Sequence, residues 1–240
     1  LKKKFDTNGW DLCNFSDLVN QPKTIIPNTK IPKVIKSKKN NLPLKAYFIL
    51  DETPFYQPEY FARLVRYCKD IEVVGVSIVK LPHGGVLQKY LLKNWYNLGI
   101  INLVKLGLKS FCFRLFGLLP CKLKGDFFGS VESVARTMKI PHKIINQINT
   151  AEHINDINKL SPDLIISSNS LILGEKLIKL PKIACINRHS ALLPSLGGIL
   201  PVFRAVQYEH KFTGASVHFV VKKIDAGNIL ARKWVPIFKN

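Results

Sequence analysis

The sequence predicts an α/β fold with an open, mostly parallel sheet flanked by helices, on two observations. Short apolar runs alternate with stretches of helical periodicity along most of the chain. The run at 46–50, the amphipathic stretch at 58–69 and the Val- and Ile-rich run at 72–79 form a strand–helix–strand unit. Such a unit needs a crossover connection, which places its two strands parallel in one sheet.

The same alternation continues through the second half of the chain. One helix is predicted over 130–138 with Ser130 as its N-cap, and another over 150–160 with Thr150 as its N-cap. Further strands are predicted at 140–145, 164–167, 183–186, 217–224 and 234–238. The pattern is typical of a Rossmann-like sheet, in which ligands bind beyond the carboxyl ends of the strands.

Composition excludes several classes of protein and leaves a strongly basic surface. Hydrophobic residues make up 47% and charged residues 22% of the 240 residues, which argues against a disordered chain, a collagen-like repeat or a coiled coil. The formal net charge is +20, with +7 in residues 1–45 and +8 in residues 80–125. Such a surface attracts nucleic acid, anionic lipid or phosphorylated small molecules, and a Lys-rich coding bias would produce the same excess.

Domain organisation follows from local composition. Residues 1–45 are expected to form a basic N-terminal arm or linker, because prolines cluster with Lys and Asn between 21 and 43. Residues 46–240 are expected to form one folded domain with a helical insertion at about 86–117. The chain begins with Leu1 and ends soon after its last predicted strand, so we expect a fragment with an incomplete C-terminus.

The stretch 86–116 allows two interpretations. It interleaves Leu, Ile and aromatic residues with Lys, and it contains neither acidic residues nor Pro. It is either a helical insertion packed on the sheet with its lysines extended to water, or a basic amphipathic helix in a membrane interface. A transmembrane helix is not predicted, because no run of about 18 uncharged apolar residues occurs.

Three polar residues follow strand-like runs and are candidates for chemistry: Asn187, His189 and Asp225. An amide N–H can stabilise an oxyanion, an imidazole can move a proton near neutral pH, and a carboxylate can hold that imidazole protonated. The trio suits acyl transfer through a tetrahedral intermediate. Surface or capping roles are the alternative for these residue types at strand ends. No GxSxG turn is present and no Cys adjoins the His, so no covalent nucleophile is indicated.

Cysteine and histidine positions indicate neither a metal site nor a disulfide framework. The five cysteines are scattered without a CxxC pair, and no His, Asp or Cys cluster has metal-ligand spacing. We therefore predict reduced cysteines in a cytoplasmic protein. His142, His153 and His210 are expected at the surface, and His218 is expected to be a structural residue on a strand.

Several motifs stand around the polar trio in a fixed order. Residues 187–194 read Asn-Arg-His-Ser-Ala-Leu-Leu-Pro, and Gly198 and the Pro-Val-Phe segment at 201–203 follow. Residues 213–218 read Thr-Gly-Ala-Ser-Val-His, and residues 224–230 read Ile-Asp-Ala-Gly-Asn-Ile-Leu. These segments resemble the Asn-x-His-x-Ser-Leu-Leu-Pro, Thr-Gly-x-x-x-His and Asp-x-Gly-x-Ile-Leu motifs of the formyltetrahydrofolate-dependent formyltransferases. The resemblance covers about 46–240 and is most specific within 161–230.

The resemblance implies a mechanism and a set of site residues. The co-substrate would be 10-formyltetrahydrofolate, with no metal, and a substrate amine would attack the formyl carbon. Asn187 and His189 would stabilise the oxyanion, and Asp225 would assist proton transfer. Residues expected to contact the folate are Ser170, Leu171, Ile172, Leu173 and Ile224. Residues expected to contact the acceptor are Arg188, Pro194, Gly198 and Phe203.

The acceptor is expected to be a nucleotide-linked amino sugar, with Lys182, Arg188, Arg204 and Lys211 as candidate phosphate contacts. The alternatives are methionyl-tRNA, glycinamide ribonucleotide, hydrolysis of the donor, and a non-catalytic module that binds a membrane surface or a partner. Peripheral contact with an anionic inner membrane through 86–116 remains an alternative, and a homodimer is left open. Ala191, Gly197 and Arg204 depart from the family pattern in the loop expected to frame the acceptor.

Overall fold

The computed structural model describes residues 10–11, 42–53, 56–80, 100–117, 128–198 and 201–237. The chain divides into two compact units. The N-terminal unit comprises residues 43–163 and 169–171, and the C-terminal unit comprises residues 1–42, 164–168 and 172–240. The two units are described separately below.

The N-terminal unit is built on three parallel strands. Its strands are β2 (Leu44–Asp51), β3 (Ile71–Val79) and β4 (His142–Ile145), with β3 paired to both of the others. Helix α1 (Gln57–Tyr67) connects β2 to β3, which confirms the predicted strand–helix–strand unit. Its Phe61 ring lies 5.2 Å from that of Phe48 on β2, and both side chains are fully buried.

Within the described ranges this unit has three further helices: α2 (Ile100–Gly117), α3 (Val131–Thr137) and α4 (Ala151–Lys159). Both predicted caps are confirmed, since the Ser130 hydroxyl accepts the Ser133 N–H at 3.0 Å and that of Thr150 accepts the His153 N–H at 3.3 Å. Helix α2 is the second part of the predicted insertion, and residues 86–99 lie outside the described ranges.

The C-terminal unit is a mixed sheet. Strands β5 (Leu164–Ser168) and β6 (Ala184–His189) are parallel, whereas β7 (Phe212–Phe219) and β8 (Ile229–Pro236) run antiparallel to their neighbours. Its short helices are α5 (Glu175–Ile178) and α6 (Pro201–Gln207). Strand β1 (Trp10–Asp11), the described part of the predicted arm, pairs antiparallel with β8. The predicted α/β fold with parallel strands and flanking helices is confirmed, while the predicted domain boundary at residue 45 stays a prediction.

Two strand boundaries differ from the sequence prediction. The predicted strand 217–224 is wrong, because β7 ends at Phe219 and the chain turns there. Gly227 packs so closely on the Phe219 carbonyl that a Cβ at this position would overlap it. Strand β6 continues to His189 instead of ending at 186, because β7 pairs with its last four residues.

One predicted surface histidine belongs to the core. His153 is 2% exposed, and its Nδ1–H donates to the Ile148 carbonyl at 2.7 Å. Its Nε2 accepts from the Ser77 hydroxyl at 2.7 Å, and the Tyr47 hydroxyl lies 2.7 Å from the same Ser77 oxygen. We call Tyr47, Ser77 and His153 the core cluster. The surface prediction was wrong because the helix periodicity of 151–159 places His153 on the same face as the buried Ile157.

Candidate active site

Asn187 and His189 lie two residues apart on β6, so their side chains project from the same face of the strand. The antiparallel register with β7 places His218 opposite Asn187 and Ser216 opposite His189. Cross-strand neighbours of this kind lie within contact distance. The register therefore brings a second imidazole, that of His218, to the predicted trio.

Asp225 reaches the same place from the turn between β7 and β8. Its backbone has a φ of 49°, in the left-handed region that suits Asp in turns. Its Oδ2 accepts the Gly198 N–H at 2.7 Å and lies 3.6 Å from Nδ1 of His189. Its Oδ1 lies 3.5 Å from Nε2 of His218. We call Asn187, His189, His218 and Asp225 the site cluster.

The hydrogen bonds of His189 define which of its nitrogens can react. Nε2 lies 2.7 Å from the Leu196 carbonyl oxygen, which can only accept, so Nε2 carries a proton. Burial lowers the pKa of His189, and the ring is therefore neutral at neutral pH with its Nδ1 lone pair directed at Asp225. Nδ1 can take up a proton, and the imidazolium so formed would lie beside a carboxylate.

His218 fixes the amide of Asn187. Its Nδ1 lies 2.9 Å from the Phe219 carbonyl oxygen, and its Nε2 lies 3.1 Å from Asn187 Nδ2. The second N–H of this amide has no acceptor among the residues that the structure describes, and Asn187 is only half-buried. That N–H can stabilise an oxyanion.

Asp225 is held in its ionised form. Burial by itself would raise the pKa of this carboxyl, but the contact with His218, the N–H of Gly198 and the nearby His189 together lower it below the ordinary value. The carboxylate is therefore charged at neutral pH and can stabilise a protonated His189. The cluster can thus move one proton and stabilise one oxyanion, which are the two needs of acyl transfer.

The 190–198 loop, which follows β6, is held through its backbone. The Ser216 hydroxyl donates to the Ala191 carbonyl at 2.7 Å and accepts the Leu193 N–H at 3.0 Å. Arg232 on β8 donates to the Leu193 carbonyl at 3.0 Å, and the side chains of Ser216 and Arg232 are both buried. Ala191, a departure from the family pattern, is fully buried against Leu196. The sequence analysis missed these supports, because a lone Ser and a lone Arg on strands carry no visible signal.

The predicted acceptor residues lie around this loop in different ways. Gly198 contacts Asp225 directly, and Pro194 is exposed at the surface of the loop. Arg188 alternates to the other face of β6, and its guanidinium donates to the Ser168 hydroxyl on β5 at 2.8 Å. Phe203 lies on α6, and its side chain is outside the described part of the structure.

The predicted folate residues are distributed over both units. Ile224 adjoins Asp225 and is 59% exposed, and Ile172 and Leu173 belong to the same C-terminal unit. Ser170 and Leu171 belong to the N-terminal unit, where the Ser170 hydroxyl donates to Asp51 at 3.2 Å. Their role toward a folate stays a prediction.

His218 is the functional candidate that the sequence analysis undervalued. Its predicted place on a strand is correct, but its contacts with Asn187 and Asp225 depend on the pairing of β6 with β7, which the sequence does not display. The Thr-Gly-x-x-x-His motif was the available signal. Among the described residues, no group of three His, Cys, Asp or Glu side chains is placed to hold a metal ion.

The C-terminal part of the chain is similar in sequence to known proteins. Residues 132–240 match the formyl transferase family. The chain is 38% identical over 108 residues to methionyl-tRNA formyltransferase of Thermotoga neapolitana, which is 45% of this chain and 34% of that protein. It is 37% identical over 112 residues to the bifunctional polymyxin resistance protein ArnA of Wigglesworthia glossinidia brevipalpis, which is 46% of this chain and 17% of that protein. The matched region thus spans about a third or less of these relatives.

The fold is shared more widely than the sequence. A crystal structure of phosphoribosylglycinamide formyltransferase from Bacillus halodurans superposes with a TM-score of 0.54 at 15% identity, covering 81% of each chain. The sequence match includes every member of the site cluster and the whole 190–198 loop. The sequence similarity to the formyl transferase family thus lies in residues 132–240, the part of the chain that holds the site cluster.

Proposed function

We propose that this protein transfers the formyl group of 10-formyltetrahydrofolate to the amine of a nucleotide-linked amino sugar. The site cluster carries the proposal, because it combines a free amide N–H, a neutral buried imidazole and an ionised carboxylate within one small volume. The formyl transfer named in the matched relatives supports the same reaction class.

Three members of the cluster act on the reactants or on the transferred proton, and His218 orients the amide of Asn187. The acceptor nitrogen attacks the formyl carbon, and the second N–H of Asn187 stabilises the resulting oxyanion. Nδ1 of His189 takes the proton from the attacking amine, while Asp225 stabilises the imidazolium. The tetrahedral intermediate then collapses, the bond to the folate nitrogen breaks, and the same proton passes to that nitrogen. We assign contacts with the folate to Ser170, Leu171, Ile172, Leu173 and Ile224, and the reaction needs no metal.

Arg204 supports an anionic acceptor. Its Nη1 donates to the Gly197 carbonyl at 2.7 Å, and its guanidinium lies 5.9 Å from the centre of the Tyr208 ring. Within the described ranges no carboxylate pairs with Arg204, so its charge is available beside the loop that contacts Asp225. A guanidinium binds phosphate oxygens in a bidentate manner, which suits the diphosphate of a nucleotide-linked sugar. The exposed Lys182 and Lys211 lie in the same unit and can add charge.

The first experiment mixes the protein with 10-formyltetrahydrofolate and a panel of nucleotide-linked amino sugars, and follows tetrahydrofolate release. Release that depends on one sugar supports the proposal and identifies the acceptor class. Release that depends instead on methionyl-tRNA or glycinamide ribonucleotide would replace the acceptor. Release without any acceptor would identify a hydrolase, and absence of folate binding would leave a non-catalytic module.

Two variants separate chemistry from acceptor binding. Asn187→Ala removes the oxyanion donor and should lower kcat by about 10²- to 10³-fold. Arg204→Gln should raise KM for the nucleotide-linked sugar and leave kcat almost unchanged, because it removes binding that is equal in ground and transition states. Lys176→Gln, an exposed lysine on α5, is the matched charge control and should change neither constant. An unchanged KM in Arg204→Gln would exclude this residue as the phosphate contact.

A further inference from the structure

Helix α2 presents an apolar strip that the proposed reaction does not use. Six of its side chains are between 56% and 67% exposed: Ile100, Ile101, Val104, Leu108, Phe111 and Leu115. At 3.6 residues per turn these six positions fall within an arc of about 100° on the helix. We call them the α2 strip. Contiguous exposed apolar side chains of this kind mark interaction surfaces.

The charges around the strip indicate what it binds. Lys105 and Lys109 follow the strip along one side and are exposed. Residues 80–125, the surrounding sequence, contain seven Lys and one Arg and no acidic residue. A second copy of this chain would bring the same positive charge to the contact and be repelled. An anionic surface is complementary to it.

The helix is suited to lie on a bilayer and not to cross it. Among the described residues, no helix has the length and hydropathy that a membrane span requires. The 18 residues of α2 include three cations, Lys105, Lys109 and Arg114. A helix that exposes an apolar strip beside lysines can bury that strip at the boundary of headgroups and acyl chains, while its lysines reach anionic headgroups.

We propose that the α2 strip docks this protein on an anionic lipid surface. The apolar side chains enter the interface, and the surrounding lysines bind the negative headgroups, each cation near the surface strengthening the attachment. The inference does not depend on formyl transfer, since lipid binding is measured without a folate or an acceptor.

The test is flotation of the full chain with vesicles. Vesicles of phosphatidylcholine alone are compared with vesicles that also contain phosphatidylglycerol, at low and at high salt. We expect flotation with the anionic vesicles at low salt, a clear decrease at high salt, and little with neutral vesicles. The double variant Leu108→Glu, Phe111→Glu should lose at least tenfold in binding, and Lys105→Gln should lose less.

Tyr67→Glu is the matched control, because Tyr67 is an exposed apolar side chain on another helix of the same unit. It should float like the original protein. Thermal unfolding checks that the charged variants fold, and Phe111→Trp gives a positive signal, a blue shift of its fluorescence with anionic vesicles. Absence of flotation at low salt, flotation that the double variant retains, or equal binding to neutral vesicles would overturn the proposal. Self-association that the double variant abolishes, without lipid binding, would overturn it in favour of a dimer.

Discussion

A buried histidine and a partly buried aspartate of the N-terminal unit, His153 and Asp51, behave differently from His189 and Asp225 of the C-terminal unit. In the N-terminal unit, His153 bonds to neutral groups, the Ile148 carbonyl and the Ser77 hydroxyl. In the C-terminal unit, His189 bonds one carbonyl through Nε2, and its Nδ1 lies 3.6 Å from a carboxylate. Burial lowers the pKa of both imidazoles. A lowered pKa therefore does not distinguish a structural histidine from a reactive one.

Unlike the two imidazoles, the two aspartates have pKa values that are shifted in opposite directions. Burial raises the pKa of Asp51 to about 6, where its hydrogen-bond donor is Ser170. Asp225 is also buried, but the contacts with His218, Gly198 and His189 reverse the direction and lower its pKa. What distinguishes the site cluster is that Nδ1 of His189 lies beside the ionised carboxylate of Asp225. The four predictions below test this distinction, from the largest effect to the smallest.

The largest effect is expected from Asp225→Asn. The amide keeps an oxygen for the Gly198 N–H but cannot stabilise a protonated His189, so kcat for formyl transfer should fall by about 10²- to 10⁴-fold. Tetrahydrofolate release measures this, and thermal unfolding should show little change. Asp156→Asn, at an exposed carboxylate of the other unit, is the control and should keep full activity. Full activity of Asp225→Asn would remove the carboxylate from the mechanism.

His153→Ala should affect stability and not chemistry. It leaves the Ile148 carbonyl without its partner, removes one of the two bonds of the Ser77 hydroxyl and opens a cavity, so the free energy of unfolding should fall by about 2 to 4 kcal/mol. Denaturant titration measures this fall. The pH profile of kcat should not move, whereas a shifted profile would contradict the structural assignment. His142→Ala, at an exposed imidazole, should change stability little.

Asp51 makes the N-terminal unit sensitive to pH. The folded state holds its proton up to about pH 6, whereas the unfolded chain releases it near its ordinary pKa of 3.8. The free energy of unfolding should therefore decrease as pH rises from about 4 to about 6, by about 2 to 3 kcal/mol. Asp51→Asn should remove this decrease and stabilise the protein at neutral pH. An identical pH dependence in the variant, measured by urea unfolding, would argue against it.

Ser216→Ala tests how the site is supported. It removes both bonds of the hydroxyl to the 190–198 loop and should lower the free energy of unfolding by about 1 to 3 kcal/mol. We also expect a decrease in kcat, because Gly198 and Leu196 of that loop contact the site cluster. Ser195→Ala is the comparison, because this exposed hydroxyl of the same loop donates to the Leu192 carbonyl, at 2.9 Å, and its loss should lower stability less. Equal stability of the two variants would show that the loop does not need Ser216.

The sequence was sufficient for the elements whose determinants are local. The capped helices at 131–137 and 151–159 and the apolar strands β2 and β3 were predicted because caps and hydrophobic periodicity are read within a few residues. Asn187, His189 and Asp225 were predicted through motifs, and their catalytic roles stay a prediction. The contacts of His218 and the burial of His153 could not be predicted from the sequence, because they depend on strand register and tertiary packing. The end of β7 at Phe219 was missed since Gly227 gives no sign of the close approach that it permits.

The way in which the 190–198 loop is held has an evolutionary consequence. Ser216 and Arg232 form hydrogen bonds with the peptide groups of Ala191 and Leu193 and with none of the loop's side chains. Substitutions at the exposed positions Pro194 and Ser195 can therefore accumulate without releasing the loop from the hairpin that also presents Asp225, whereas the side chains of Ala191, Leu192, Leu193 and Leu196 are buried. In the proposed reaction, descendants of one ancestor can exchange exposed residues of this loop while Asn187, His189 and Asp225 keep their places. An engineer can use the same freedom by randomising exposed loop positions such as Pro194 and Ser195 and selecting for new amine acceptors.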